Sequence, residues 1–174
     1  NGPMREPNLK SLGYWQSLLA AGKRVPICGG SDYHREQLFL FLGDPTTCVY
    51  ALSTSPNDIL AALRQGHAFI TYAPDGPTLE MTCGDAMLGD EIPWEASCMV
   101  DIRIEGVAAG DVIRLVEAKG SHDLITAPAP GKFNTRYAVN EPGFVRVEVW
   151  RKFLPQLPAL PALIGNPIYF TLTR

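Results

Sequence analysis

The run Cys28-Gly29-Gly30-Ser31-Asp32-Tyr33-His34 sets a carboxylate and an imidazole two residues apart, directly after a glycine pair. Both groups are good ligands for Zn, Mn or Fe. On an extended backbone alternate side chains fall on one side, so Asp32 and His34 are placed to hold one cation. The glycines let the backbone pass close to such a site with no side chain in the way. The competing reading is an Asx turn beside a surface histidine. A catalytic metal site also wants about three protein ligands or more, and the remaining imidazoles fall elsewhere. His67 opens a strand-like run, where a surface or strand-edge residue is expected. His122 lies in Gly-Ser-His-Asp-Leu, which reads as a hairpin turn.

Other chemistries lack their residues. The Gly29–Gly30 stretch has no Gly-Lys-Ser/Thr ending, so it is not a phosphate loop. No Gly-x-Ser-x-Gly elbow is present, which leaves a serine hydrolase unsupported. Arg146 and Glu148 share one strand face and read as a solvated pair. The alternative is a lining turned toward the N-terminal part. Asp75 and the acids from Asp85 to Asp90 read as turn residues. Tyr14, Trp15, Trp94 and Trp150 read as packing.

The elements that must position Asp32 and His34 come first in the chain. Asn8 is placed to cap a helix running to about Ala21. Leu9, Leu12, Trp15, Leu18 and Leu19 recur at helical spacing, and Gly22 is the stop. Lys23–Cys28 reads as a short strand, which puts Asp32 and His34 at a strand's C-terminal end, where α/β folds bind ligands. Thr46–Leu52 reads as a second strand. Ser55, Pro56 and Asp58 open a second helix whose apolar face is Ile59, Leu60 and Leu63, ending at Gly66. His67–Ala73 reads as a third strand.

Beyond Pro74–Pro77 the texture changes to period-2 runs: Thr78–Cys83, Cys98–Glu105, Asp111–Ala118, Phe144–Trp150 and Pro167–Leu172. Such runs with turn signals between them suggest a small antiparallel sandwich. The Pro-rich stretch from Leu154 to Leu160 reads as a surface loop. The expected fold class is α+β, with residues 1–74 as a β/α part and 75–174 as a β-sandwich-like part.

Bulk properties narrow the partners. A chain of 174 residues suits one ordinary domain or two small ones, and 46% hydrophobic residues allow a core. The net charge of -3 and the lack of a basic stripe speak against nucleic acid. No apolar run reaches the roughly 18 residues that span a bilayer. Cys28, Cys48, Cys83 and Cys98 form no Cys-x-x-Cys pair and read as buried free thiols, which leans toward a reducing, cytoplasmic compartment. Opening on Asn1, the sequence reads as the middle or end of a longer chain.

Taken in order, Trp15–Arg35 with its Asp32-x-His34, then Leu42–Ala51, Asp58–Glu80, Val145–Trp150 and Asn166–Phe170 resemble one family. This is the PHP (polymerase and histidinol phosphatase) metallohydrolase superfamily, in its carbaryl-hydrolase-like (CehA/McbA) branch. The opening Asn1–Gly2 resembles the asparagine-glycine that follows a strand in those proteins. The resemblance implies a distorted β/α barrel with a metal site at the strand C-termini, followed by a β-rich domain. In that family an early His-x-His, middle acidic and histidine ligands and a late Asp-x-His hold the metals, and only the late motif matches here, at Asp32 and His34. It implies metal-assisted hydrolysis of a small-molecule phosphoester, ester or carbamate with Zn, Mn or Fe. Arg35 follows directly and is placed to meet developing negative charge. The fragment is expected to be inactive alone, and to expose a sheet edge and apolar surface through which it self-associates. A second reading is a non-enzymatic binding or interaction module built on the β-rich half.

Overall fold

The structure, a computed structural model, describes residues 6–35 and 41–172. Asn1–Gly2 lies outside them. Helix α1 (Glu6–Ala20) begins before Asn8, with Pro7 in its first turn, where a missing N–H costs nothing. It ends as the sequence predicts. Gly22 takes φ 76°, its N–H donates to Leu19 O at 2.9 Å, and Lys23 N–H donates to Leu18 O at 2.9 Å. That pair of bonds satisfies carbonyls the helix end would leave open.

Strand β1 (Thr46–Val49), helix α2 (Pro56–Gln65) and strand β2 (Ala68–Thr71) follow. Ser55 caps α2 by accepting from Asp58 N–H at 3.2 Å, and Gly66 closes it at φ 84°. β1 and β2 pair antiparallel, with Thr46 opposite Thr71. The rest of the chain is strands joined by turns: β3 (Thr78–Cys83), β4 (Ala86–Met87), β5 (Glu91–Pro93), β6 (Met99–Val107) and β7 (Val112–Glu117). After these come β8 (Gly120–Thr126), β9 (Gly131–Ala138), β10 (Gly143–Arg151), β11 (Leu160–Gly165) and β12 (Ile168–Thr171).

These strands form two sheets among the described residues. In the larger, β10 is central. β7 and then β8 lie on one side of it. On the other side β12 pairs its first half and β11 its second half. β11 leads on to β2 and β1, and β12 to β5, the last pair being parallel. The larger sheet therefore joins strands from both sides of Pro74–Pro77. The smaller sheet runs β4-β3-β6-β9, all antiparallel.

The expected sandwich is present. Its core packs Leu79, Met81, Val100, Ile102 and Ile104 of the small sheet against Ile113, Leu115, Val145, Val147 and Val149 of the large one. The outer face of the large sheet is covered too. Leu12, Trp15 and Leu19 of α1 pack there on Val116, Phe144, Ile164 and Tyr169. β10 is thus buried on both faces, a point on which the functional geometry turns.

Several expectations are corrected. Tyr14 is exposed and packs on nothing in the core. His122 is not in a hairpin turn but on β8, opposite Leu115, with its ring near Tyr137. Of the four thiols, all free, Cys28 is exposed and Cys48 half-buried. No described helix is long and apolar enough to cross a membrane.

Three phenols give the fold an alkaline limit. Burial pushes Tyr50, Tyr137 and Tyr169 up to about 12, with Glu80 adding to the rise at Tyr50 and Glu117 at Tyr137. A phenol raised in the folded state stabilises the fold fully below its unfolded value near 10. That contribution is lost as pH rises through 12. Stability should therefore fall between about pH 10 and 12, and ultraviolet titration should show a late phenolate phase coinciding with unfolding. A phase complete by about pH 10.5 would contradict this.

Candidate functional site

Lys23–Cys28, expected as a strand, joins no ladder. Its backbone is held instead by side chains. Asn166, 1% exposed, accepts from Ile27 N–H at 2.8 Å and donates to Ile27 O at 3.0 Å and to Ala68 O at 2.9 Å. Thr47 Oγ1 accepts from Gly29 N–H at 2.9 Å and donates to Gly29 O at 2.7 Å. Trp15 Nε1 donates to Val25 O at 2.6 Å. The segment is pinned beside the sheet without being part of it. The approach is close at Gly29, where a Cβ would lie 3.0 Å from Ile70 Cγ2, whereas Gly30 faces open space.

This tether has a measurable weight. Asn166→Ala leaves Ile27 N–H and two carbonyls without their partner, at a cost of about 1–3 kcal/mol. Amide exchange at Ile27 and Gly29 should accelerate more than exchange in β10. Equal acceleration throughout would mean that Asn166 does not hold this segment in particular.

Asp32 and His34 stand on the turn that follows. The backbone is not extended at this point, because Asp32 sits at φ 56°, in the left-handed region that aspartate tolerates better than most residues. The two side chains therefore do not meet by strand alternation. They meet because His34 folds back. Its Nδ1–H donates to Asp32 O at 2.7 Å, and Nδ1 lies 4.0 Å from Asp32 Oδ1. Both side chains are open to solvent, 77% for His34 and 60% for Asp32. Neither His34 Nε2 nor the Asp32 carboxylate has a hydrogen-bond partner among the described residues. Arg35 is exposed and likewise unpaired among them.

The other histidines stay apart from this turn. His67 stands at the edge of β2, directly before Ala68, rather than at the surface. It is half-buried, and its Nε2–H donates to Asp90 Oδ1 at 2.8 Å, while Asp90 Oδ2 accepts from Met87 N–H at 2.8 Å. That arrangement closes the turn between β4 and β5. No group of three or more His, Cys, Asp or Glu among the described residues is arranged to hold a metal. Asp32 and His34 thus stand together on one turn with no third such side chain beside them among the described residues.

The second polar grouping is Arg146 and Glu148, which are not a solvated pair but the alternative, a lining turned toward the N-terminal part. Arg146 and Glu148 are buried, at 2% and 4% exposure, on the face of β10 that α1 covers. Arg146 Nη1 donates to Glu148 Oε1 at 2.5 Å. Its Nε and Nη2 both donate to Gln16 Oε1 of α1, at 3.2 and 3.0 Å. The guanidinium lies over the Trp15 ring, 4.7 Å from its centroid. Glu148 Oε2 accepts from Trp150 Nε1 at 2.6 Å. Gln16 Nε2 completes the network by donating to Glu117 O at 3.0 Å. Burial draws the Arg146 guanidinium below its ordinary value, with Glu148 opposing. Beside this network, between α1 and strands β7 and β10, lies a cleft of about 340 Å³.

The chain matches no protein-family model, no curated protein and no solved structure.

Proposed function

We infer that Asp32 and His34 are ligands in the metal centre of a metal-dependent hydrolase acting on a small ester, carbamate or phosphoester. In this reading the N-terminal part belongs to a PHP-type barrel and the sandwich is its C-terminal companion. One observation carries it. The Nδ1–H of His34 is committed to Asp32 O, which fixes the tautomer with its lone pair on the outward Nε2. Metal-binding histidines are held this way, with the far nitrogen donating to a carbonyl or carboxylate.

The donor set fits a divalent cation as a partial site. It has one imidazole and one carboxylate on a single exposed turn, with the remaining ligands coming from outside the described residues. Zn, Mn or Fe held there supplies Lewis-acid polarisation of the scissile group. The chain's own residues do the rest. Asp32 brings the negative charge, His34 an orientated nitrogen, and Arg35 an exposed guanidinium to meet an oxyanion. The Asn166 and Thr47 tethers fix where the turn stands relative to the sheet.

Hydrolysis of p-nitrophenyl acetate and p-nitrophenyl phosphate by the full-length protein tests this reading. Asp32→Ala and His34→Ala should each lower kcat/KM by a hundredfold or more, on the order of a lost catalytic contact of about 3 kcal/mol. Unchanged hydrolysis in both variants would remove the pair from the reaction. The rival reading, a non-enzymatic binding module, is favoured by a different observation, the cleft beneath α1.

A further inference from the structure

We propose that the cleft between α1 and strands β7 and β10 binds a small organic carboxylate with an apolar body, the carboxylate lying on the Arg114 guanidinium. The inference does not rest on Asp32 or His34. A volume of about 340 Å³ is in the range of small-molecule sites. Leu9, Leu12 and Val116 give the cleft an apolar wall, and Trp150 adds an aromatic one.

The hydrogen bonding around the cleft decides the sign of the ligand. Glu148 has both oxygens engaged, one by Arg146 and one by Trp150. Gln16 spends its oxygen on Arg146 and its amide on Glu117 O. No carboxylate lining the cleft is left to receive a cation. Open donors remain. Arg114 donates through Nε to Asp123 Oδ1 at 2.7 Å, and its two terminal nitrogens have no partner among the described residues. Its guanidinium is already held in place over the Trp150 ring, 5.3 Å from the centroid. A fixed fork with free terminal N–H groups matches a carboxylate in bidentate fashion and spends little ordering entropy on binding. Asp123 already offsets part of the charge, which suits a monoanion better than a phosphate dianion.

The test uses indole N–H signals of the ¹⁵N-labelled chain, titrated with 1-naphthoate into the millimolar range. 1-Naphthylmethanol and inorganic phosphate are titrated in parallel. The Trp150 signal should shift saturably with naphthoate. The Trp94 signal, whose indole donates to Val139 O at 3.1 Å on the sandwich side, should stay in place. Arg114→Gln should weaken naphthoate binding about tenfold or more, as expected for loss of a charge-assisted bond, and leave naphthylmethanol unaffected. An unmoved Trp94 signal reports that the variant is folded. If it is not folded, Arg114→Lys is read instead, which keeps the charge, loses the fork and should weaken binding severalfold. The proposal is overturned by the absence of a saturable shift, by naphthylmethanol binding as tightly as naphthoate, or by unaltered affinity in the folded Arg114 variant. Phosphate moving the same signals at lower concentration would also overturn it.

Discussion

Replacing Arg146 by Met should lower the unfolding free energy by about 3–5 kcal/mol, the cost of leaving a buried charge without its partner. Arg146 holds Glu148 Oε1 and Gln16 Oε1 at once, in a layer that α1 closes from solvent. Met fills similar volume, so packing loss is small. What is lost is the cation that neutralises Glu148. The variant Arg146→Met/Glu148→Gln removes both charges and keeps an acceptor for Trp150 Nε1. It should recover more than half of the loss, because buried pairs owe little net stability to the charges themselves. Urea unfolding of the three proteins reads the difference. A single variant within about 1 kcal/mol of the parent would mean water reaches Glu148.

Gly89→Ala should be nearly as damaging for a steric reason. Gly89 sits at φ 92°, and a Cβ there would lie 2.2 Å from Gln65 O and 2.6 Å from Gly66 C. Both are backbone atoms at the end of α2, so neither can swing away as a side chain would. The left-handed conformation costs a substituted residue about 1–2 kcal/mol, and forced displacement of packed structure adds about 1–3 kcal/mol. Gly84→Ala is the control. Gly84 also has a positive φ, 59°, but nothing lies within 4 Å of its Cβ position. It should show the conformational cost alone. Equal losses at the two positions would mean that contact with α2 carries no weight. The same junction holds the His67–Asp90 bond, so the Gly89 variant should also expose His67.

Much of this architecture was legible because its signals are local. The apolar spacing from Leu9 to Leu19, the Ser55-Pro56 start, the Gly66 stop and the alternation in β3, β6 and β7 each depend on residues within a few positions of one another. What escaped depends on remote neighbours. β8 is mostly exposed and polar, so it carries little alternation, whereas β9 alternates in burial but sets Thr135 between Phe133 and Tyr137 on its inner face, which weakens the apolar signal. β11 has the opposite problem: nearly every residue is buried, and Pro161 argues against a strand. It is tolerated where the β10–β11 register shifts between Val149 and Trp150. Lys23–Cys28 has strand character in sequence, but its hydrogen bonds go to Asn166 and Thr47, and nothing local announces that.

The site divides in the same way. Asp32 and His34 could be named from spacing alone. Their meeting could not be derived correctly, because strand alternation was the wrong geometry and a left-handed Asp32 the actual one. Arg146 and Glu148 alternate with Val145, Val147 and Val149, as the solvent face of a half-exposed strand would. Only the placement of α1 over that face makes them a buried network. Trp150 lies two residues from Glu148 on the same strand face, but Gln16, which completes the network from α1, is joined to Arg146 by no spacing in the chain.

Metal content tests the Asp32–His34 turn most directly. Plasma mass spectrometry of the purified full-length protein, beside Asp32→Ala matched for fold by circular dichroism, gives the answer. If the turn holds a metal, the parent contains near-stoichiometric Zn, Mn or Fe and the variant loses about one equivalent. Equal metal content in both proteins, or none in the parent after growth with each metal, would contradict it.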